Sequence, residues 1–246
     1  MDSELELALH WLSQANHVAV LTGAGISAES GIPTFRGPDS RWRGCLPEQL
    51  ASPEAFKHNP RLVWEWYDWR RGLIAGSAPN PGHYALAALE AQLSDFTLIT
   101  QNVDGLHARA GSQQILCLHG DIWTLACTAC GWSGRNESPQ IRPLPPSCTC
   151  GAILRPGVVW FGESLPSDVW SQALQAAQRA EVFLVVGTSA VVMPAASLAS
   201  LAQQHGAKVI EVNNQATRLS SQVDVVLRGS ASEILPRLAA GLRSKL

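Results

Sequence analysis

The sequence predicts an α/β fold, a doubly wound parallel sheet with a smaller module attached. Two observations carry the sheet: short runs that are apolar throughout recur along the chain, and amphipathic segments separate the later ones. Strands read this way when helices cover a parallel sheet on both faces. A third observation carries the module: four of the six cysteines gather between residues 127 and 150, in a stretch that breaks the rhythm.

Taken in order, residues 4–15 (ELELALHWLSQA) place apolar side chains at helical spacing. HVAVLTGAG then reads as a buried strand opening into a glycine-rich turn. Further strands are expected at 96–100 (FTLIT), 115–118 (ILCL), 182–187 (VFLVVG), 208–212 (KVIEV) and 223–227 (VDVVL). Helices are expected at SDVWSQALQAAQRA, PAASLASLAQQHG and ASEILPRLAAGL. Residues 36–75, rich in Trp and Arg, show helical patches and no strand pattern. Together with residues 121–155 they should form the module, laid over the sheet edge. Residues 1–35, 76–120 and 156–246 then make the main domain.

The totals bound the rest. A chain of 246 residues can bury one large core that carries an insertion. A formal net charge of −2 gives no global field to recruit nucleic acid or an anionic membrane. The start, MDSELELALHWL, has acids where a signal peptide needs Lys or Arg, and no apolar run approaches ~18 residues. The expectation is a cytoplasmic protein with neither nucleic acid nor membrane as partner. In such a reducing compartment, clustered cysteines are metal ligands more often than disulfides.

Five motifs carry chemistry. GAGISAESGIPTFRG follows the first strand, and Gly23-Ala24-Gly25 would let backbone amides approach a pyrophosphate without Cβ interference. That makes the main sheet Rossmann-like, with Ala28 in place of the third glycine; a tight strand-to-helix turn is the bland alternative. Pro33 and Phe35 imply a loop folded over the site instead of a continuous helix. In ITQNVDGLHARAG, Gln101, Asn102 and Asp104 follow directly on a strand, where open α/β sheets place their ligand crevice. They suit a carboxamide and ribose hydroxyls; a helix cap is the alternative.

In ILCLHGD, His119 sits just past a strand end, and its imidazole is a natural general base for a hydroxyl. Of the other histidines, His10, His17, His58 and His205 lie in surface-like or helical contexts without polar company, while His83 and His107 read as core or capping residues. CTAC and, seventeen residues on, CTC supply Cys127, Cys130, Cys148 and Cys150, a four-thiolate zinc set. No ligand position is left open for water, so the zinc is expected to be structural. Cys45 and Cys117 are left over, Cys117 inert in a strand. Last, RPGVVWFGE reads as a Pro-containing turn and an extended segment, and GTSAVV and VNNQ each close a strand with small polar residues. Such strand ends suit adenosine and ribose, or ordinary turns.

These motifs, in this order and spacing from about residue 12 to 235, resemble the sirtuins, NAD-dependent protein deacylases. The resemblance implies NAD and Zn(2+) as cofactors and acylated lysine, in proteins or peptides, as substrate. It implies that Gly23, Ala24, Gly25, Ser27, Phe35 and Arg36 form the pyrophosphate and flexible cofactor loops. Gln101, Asn102 and Asp104 would form the ribose and nicotinamide pocket, with Asn102 and His119 catalytic. Gly187, Thr188, Ser189, Asn213 and Ala231 would hold the adenosine side, and Val159, Trp160, Phe161 and Gly162 would pair with substrate backbone. The resemblance further implies that the acyl oxygen attacks the ribose carbon bearing nicotinamide to give an imidate. A ribose hydroxyl deprotonated by His119 would then attack the imidate, and water would complete the release of lysine. The products are nicotinamide, free lysine and an O-acyl-ADP-ribose. Gln215 stands where many relatives carry Glu.

WEWYDWRRG, residues 64–72, is the densest aromatic stretch, open on its own to three readings: a buried stripe, a nucleic-acid surface or an anion pocket. Tyr67 and Arg70, three apart, share a helix face. In the desuccinylase and demalonylase subgroup of sirtuins, such a Tyr-x-x-Arg pair lines the acyl pocket, with a small residue matching Ala51 making room. A guanidinium backed by a phenol can hold a carboxylate by charge-assisted bonds of roughly 1.5–3 kcal/mol each. Arg71 is expected to be solvated, and Trp64, Trp66 and Trp69 to pack between modules. Rival functions are a protein mono-ADP-ribosyltransferase using the same NAD pocket, a non-catalytic NAD or ADP-ribose sensor, and a zinc-ribbon binding module.

Overall fold

A six-stranded parallel sheet forms the centre of the computed structural model, which describes residues 2–35 and 40–244. The chain enters by helix α1 (Asp2–Gln14) and strand β1 (His17–Thr22), then turns through a 3-10 helix at Ala24–Ser30. Three helices follow, α2 (Pro47–Leu50), α3 (Pro53–His58) and α4 (Pro60–Gly76), and then α5 (Pro81–Gln92) leads back to β2 (Asp95–Thr100). A short α6 (Leu106–Arg109) precedes β3 (Ile115–Cys117), from which the chain leaves the main sheet. It forms β4 (Gly120–Cys127), β5 (Ser133–Arg135) and β6 (Leu154–Val158) before returning by α7 (Ser167–Arg179). The second half alternates: β7 (Val182–Val186), α8 (Ser197–Gln204), β8 (Lys208–Asn213), β9 (Val225–Arg228) and α9 (Ala231–Arg243).

The strand order is β3-β2-β1-β7-β8-β9, every pairing parallel. Alternation of side chains sorts the strands between two cores. Val18 and Val20 of β1 join α1, α5 and α9 on one face, whereas Ala19 and Leu21 join α7 and α8 on the other. Both faces are therefore dry, as the uniformly apolar runs require. The winding reverses between β1 and β7, and at such a switch point the loops beyond the strand ends part to leave a crevice.

A third core unites α2–α4 with an antiparallel sheet of order β5-β4-β6, under a cluster that includes Trp64, Trp66, Tyr67, Trp123 and Trp160. This unit meets the main domain at the carboxyl end of β2, where Ile122 N–H donates to the Val103 carbonyl at 3.0 Å. Its helices start on local signals. Prolines 53, 60 and 81 occupy the first turns of α3, α4 and α5, and Ser52, Asn59 and Asn80 accept backbone N–H bonds at the caps.

Several expectations change. The antiparallel strands of the module are a finding, since only an extended segment after a turn was expected there. Pro156 lies inside β6, paired with Leu125, and not in a turn. The strand also runs through the expected boundary between residues 155 and 156. We propose a division into a main domain and a module built on residues 36–75 plus 121–155, whose core also takes in Ile32, Leu106, Val158 and Trp160 from beyond those bounds. Trp64 and Trp66 are buried in the third core, which Ile32 and Leu106 of the main domain share, and Trp69 packs half-buried against it. Arg71 is 0% exposed and far from solvated. It donates to the carbonyls of Ile122 (2.6 Å), Asn136 and Ser138 (2.7 Å), and it lies over the Trp123 ring, so the guanidinium ties α4 to β4. Burial lowers its pKa to about 10. His17, too, has company: its Nδ1 is 2.7 Å from the Asp95 carboxylate. Among the described residues no helix is long and apolar enough to cross a membrane.

Candidate active site

One cavity of about 850 Å³ runs from the switch-point crevice into the helical module. The crevice end is built mostly from backbone. The Gly23 and Gly25 amides are donated to the carbonyls of Val186 (3.0 Å) and Gly187 (2.7 Å). A Cβ on Gly25 would lie 2.6 Å from the Gly187 oxygen, and Gly187 itself adopts φ 58°, a conformation that favours glycine. The glycines thus let two strand ends touch, a different reason from the one read in the sequence. The N–H of Ala24, first residue of the 3-10 helix, is left without an intrahelical acceptor and can meet an anion.

Side chains cross-link the strand ends. Gln101 Nε2 donates to Thr188 Oγ1 at 3.1 Å, and Asn213 Nδ2 donates to the Thr188 carbonyl at 2.9 Å. Gly187, Thr188, Ser189 and Asn213 all line the cavity. Behind Gln101 a buried network forms. Asn102 Nδ2 donates to Gly23 O (3.2 Å) and Ser27 Oγ (3.1 Å), and Ser27 Oγ donates to Asp104 Oδ2 at 2.8 Å. Asp104 also accepts from Leu106 N at 2.9 Å, so it caps α6 as well, and burial raises its carboxyl pKa. Asn102 reaches the main cavity, whereas Ser27 and Asp104 line a small adjoining recess beside Phe35 and Arg70.

His119 stands at the junction where the chain passes from β3 into β4, and it lines the cavity. Its Nδ1 is 2.9 Å from the Gln101 carbonyl. A carbonyl only accepts, so Nδ1 carries the hydrogen and Nε2 keeps a lone pair. Burial lowers the imidazole pKa, opposed by the Gln101 bond, and so favours this neutral form near pH 7.

At the module end, Ala51, Phe35, Trp66, Tyr67, Arg70, Val159, Trp160, Phe161 and Gly162 complete the wall. Arg70 is 6% exposed, and its guanidinium lies 4.7 Å from the Phe35 ring centroid and 5.5 Å from that of Trp66. Among the described residues it meets these ring faces instead of a hydrogen-bond acceptor. Tyr67 is buried, which pushes its pKa up and keeps it a phenol. The extended segment ends at Val158, and the next N–H groups are committed within the chain. Val159 N–H goes to His119 O, Trp160 N–H to Glu163 and Phe161 N–H to Ala51 O. The Trp160 carbonyl is taken by Glu163 N–H, so the carbonyls of Val159 and Phe161 and the peptide groups of Gly162 are the ones the segment can offer a peptide.

The four cysteines come together, with every Sγ within 4.8 Å of the others. Cys127 and Cys150 sulfurs are 3.5 Å apart, Cys130 and Cys148 sulfurs 3.7 Å apart. A tetrahedral zinc with Zn–S bonds of about 2.3 Å needs sulfur edges of about 3.8 Å. The set fits, and the N–H groups of Ala129 and Cys130 donate to Cys127 Sγ, lowering its thiol pKa.

The chain matches the pattern of the Sir2 family over residues 23–194. It belongs to the Sir2 family. A relative from Aquifex aeolicus, named NAD-dependent protein deacylase, is 53% identical over 230 residues, 93% of this chain and 96% of its own length. A mutant Sir2 homologue in complex with 2'-O-acetyl ADP ribose superposes with TM-score 0.95 at 47% identity, covering 98% and 97% of the two chains. A Sir2 homologue in complex with NAD gives 0.94 at 47%, covering 98% and 94%.

Within this Sir2 frame, two expected residues are not brought to the cavity wall or cannot be placed. Ala231 opens α9 and packs against Gly82 without lining the cavity, and Arg36 lies outside the described residues. Conversely, Trp66, Met193 and Arg218 line the wall without having been singled out as ligand contacts. Their signal is tertiary, because nothing in their local spacing distinguishes them from packing or loop residues. Gln215 lines the wall beside Arg218.

Proposed function

We propose that this Sir2 chain removes acyl groups from lysine side chains of proteins and peptides, with NAD as co-substrate, and favours succinyl and malonyl groups over acetyl. One observation carries the reaction: a neutral imidazole, anchored by the Gln101 carbonyl, stands where a glycine-built nucleotide crevice opens into an aromatic tunnel. Bound NAD supplies an electrophilic ribose carbon and nicotinamide as leaving group. The chain supplies the rest. Asn102, with both N–H groups held, keeps its side-chain oxygen for the ribose and nicotinamide end. His119 Nε2 takes the proton of a hydroxyl brought to it, in a cavity walled on the module side by Phe35, Trp66 and Trp160. The Cys127, Cys130, Cys148 and Cys150 thiolates would hold zinc as a clasp on the module, remote from the chemistry.

The preference for acidic acyls rests on Tyr67 and Arg70. Both are hydrogen-bond donors, both are buried at the cavity wall, and Arg70 is given aromatic faces where a carboxylate would satisfy it better. Each charge-assisted bond that an acyl carboxylate forms there is worth roughly tenfold or more in rate ratio. The test of the reaction class is nicotinamide release. It should require an acylated peptide, and His119→Ala should abolish formation of free lysine, which follows the departure of nicotinamide. NAD consumption with unacylated protein, leaving ADP-ribose on the acceptor, would instead identify a mono-ADP-ribosyltransferase. Binding of NAD without turnover would identify a sensor.

A further inference from the structure

Three buried indoles of the module donate their N–H groups, and one does so differently from the other two. Trp64 Nε1 donates to the Leu154 carbonyl and Trp123 Nε1 to the Asp104 carbonyl, the usual solution for a buried indole. Trp160 Nε1 donates to the Tyr67 hydroxyl, at 2.9 Å. An indole N–H can only donate, so the tyrosine oxygen must accept. Its own O–H is then directed elsewhere, and accepting a bond polarises it into a better donor.

The indole is itself held from several sides. The Arg155 guanidinium lies 3.6 Å from the Trp160 ring centroid and forks onto Glu163 at 2.6 and 2.8 Å. The same Glu163 carboxylate accepts the Trp160 backbone N–H at 2.8 Å, and Arg155 also donates to the Val158 carbonyl. Residues 155–163 therefore close a polar circuit around one side chain.

We propose that Trp160 is a positioning residue for acyl selectivity. Its indole N–H fixes the Tyr67 hydroxyl as a donor facing the acyl chain, and the Arg155–Glu163 pair holds the indole in register. This rests on the reading of Tyr67 and Arg70 as the carboxylate-holding pair. The substrate class is an acyl-lysine whose acyl chain ends in a carboxylate.

The experiment measures the ratio of kcat/KM for succinyl-lysine over acetyl-lysine peptide at saturating NAD, in wild type, Tyr67→Phe, Trp160→Phe and the double variant. Tyr67→Phe should lower the ratio about tenfold, the value of one charge-assisted bond. Trp160→Phe should lower it several-fold with Tyr67 present and less than about twofold in the Tyr67→Phe background, because the two act through one bond. A packing role for Trp160 predicts equal factors in both backgrounds, or no change in the ratio, and either result would overturn the proposal. Glu163→Gln keeps the tryptophan but weakens the pair that holds its indole, and so guards against misfolding of Trp160→Phe; it should lower the ratio by a smaller factor, again only with Tyr67 present. If Tyr67→Phe and Arg70→Met both leave the ratio unchanged, the acidic-acyl reading itself falls, and the positioning role with it. If they lower it and neither Trp160→Phe nor Glu163→Gln does, only the positioning role is wrong.

Discussion

The two ends of the cavity are made in opposite ways. The crevice end is mostly backbone against backbone: a Cβ on Gly25 would lie 2.6 Å from the Gly187 carbonyl oxygen, and one on Gly23 would lie 2.7 Å from Thr188 Cβ. The module end is side chain against side chain, with Tyr67, Arg70 and Trp160 drawn from segments far apart in the chain. A surface made of backbone is hard to vary, which suits a cofactor shared by a whole family. A surface made of side chains can be retuned one residue at a time, which suits the choice of acyl group.

Substitutions at the crevice should therefore be severe and indifferent to acyl group. Gly25→Ala forces a Cβ to 2.6 Å from the Gly187 oxygen, and backbone cannot step aside cheaply. Overpacking of this kind costs roughly 1–3 kcal/mol, so KM for NAD should rise by about 10- to 100-fold, equally for acetyl and succinyl peptides. An acyl-dependent effect would break the comparison.

A smaller loss is expected one layer behind the crevice. Glu211 on β8 is 0% exposed, and its carboxylate accepts from the hydroxyls of Thr217 and Ser220. It thereby pins the loop whose residues 214–218 line the crevice end of the cavity. Glu211→Gln places an amide donor against a hydroxyl, at a cost of about 1–3 kcal/mol. The KM for NAD should rise several-fold while kcat with NAD saturating holds; titration of initial rates against NAD would show it.

The smallest effect concerns pH. In the proposed reaction His119 works in its neutral form, and protonation at Nε2 would remove the lone pair that serves as base. Burial holds its pKa below the ordinary 6.5. More than half of the imidazole is then neutral at pH 6.5, and activity should fall less than about twofold between pH 7.5 and 6.5. An acid limb centred above pH 6.5 would show that the Gln101 bond, which stabilises the charged form, outweighs burial.

The same contrast explains what could be read from the sequence. Glycines at a strand end, apolar runs of strand length and a paired cysteine spacing are local signals, and each reflects a constraint that acts over a few residues. Hence the sheet, the switch-point crevice, the position of His119 and the sulfur cluster were legible. Arg71 was misread because its acceptors are carbonyls of residues 122, 136 and 138, which no local pattern announces. The link from Trp160 to Tyr67 spans 93 residues and is equally silent. The antiparallel strands β4 to β6 were missed for a related reason: β4 and β6 pair irregularly between residues 120 and 125, and the loop between β5 and β6 carries no strand pattern. Glycines 23 and 25 were found for the right place but for a ligand-facing reason, whereas their close approach is to Thr188 and Gly187.

The central claim is that the module end of the cavity selects acidic acyl groups. The most direct measurement is kcat/KM of the wild-type protein, with NAD, on one peptide carrying acetyl-, malonyl- or succinyl-lysine in turn. Succinyl and malonyl should exceed acetyl by roughly tenfold or more, as expected for one to two charge-assisted bonds to Tyr67 and Arg70. An acetyl rate equal to or above the other two would contradict the account and leave an ordinary deacetylase whose Arg70 serves only to pack between Phe35 and Trp66.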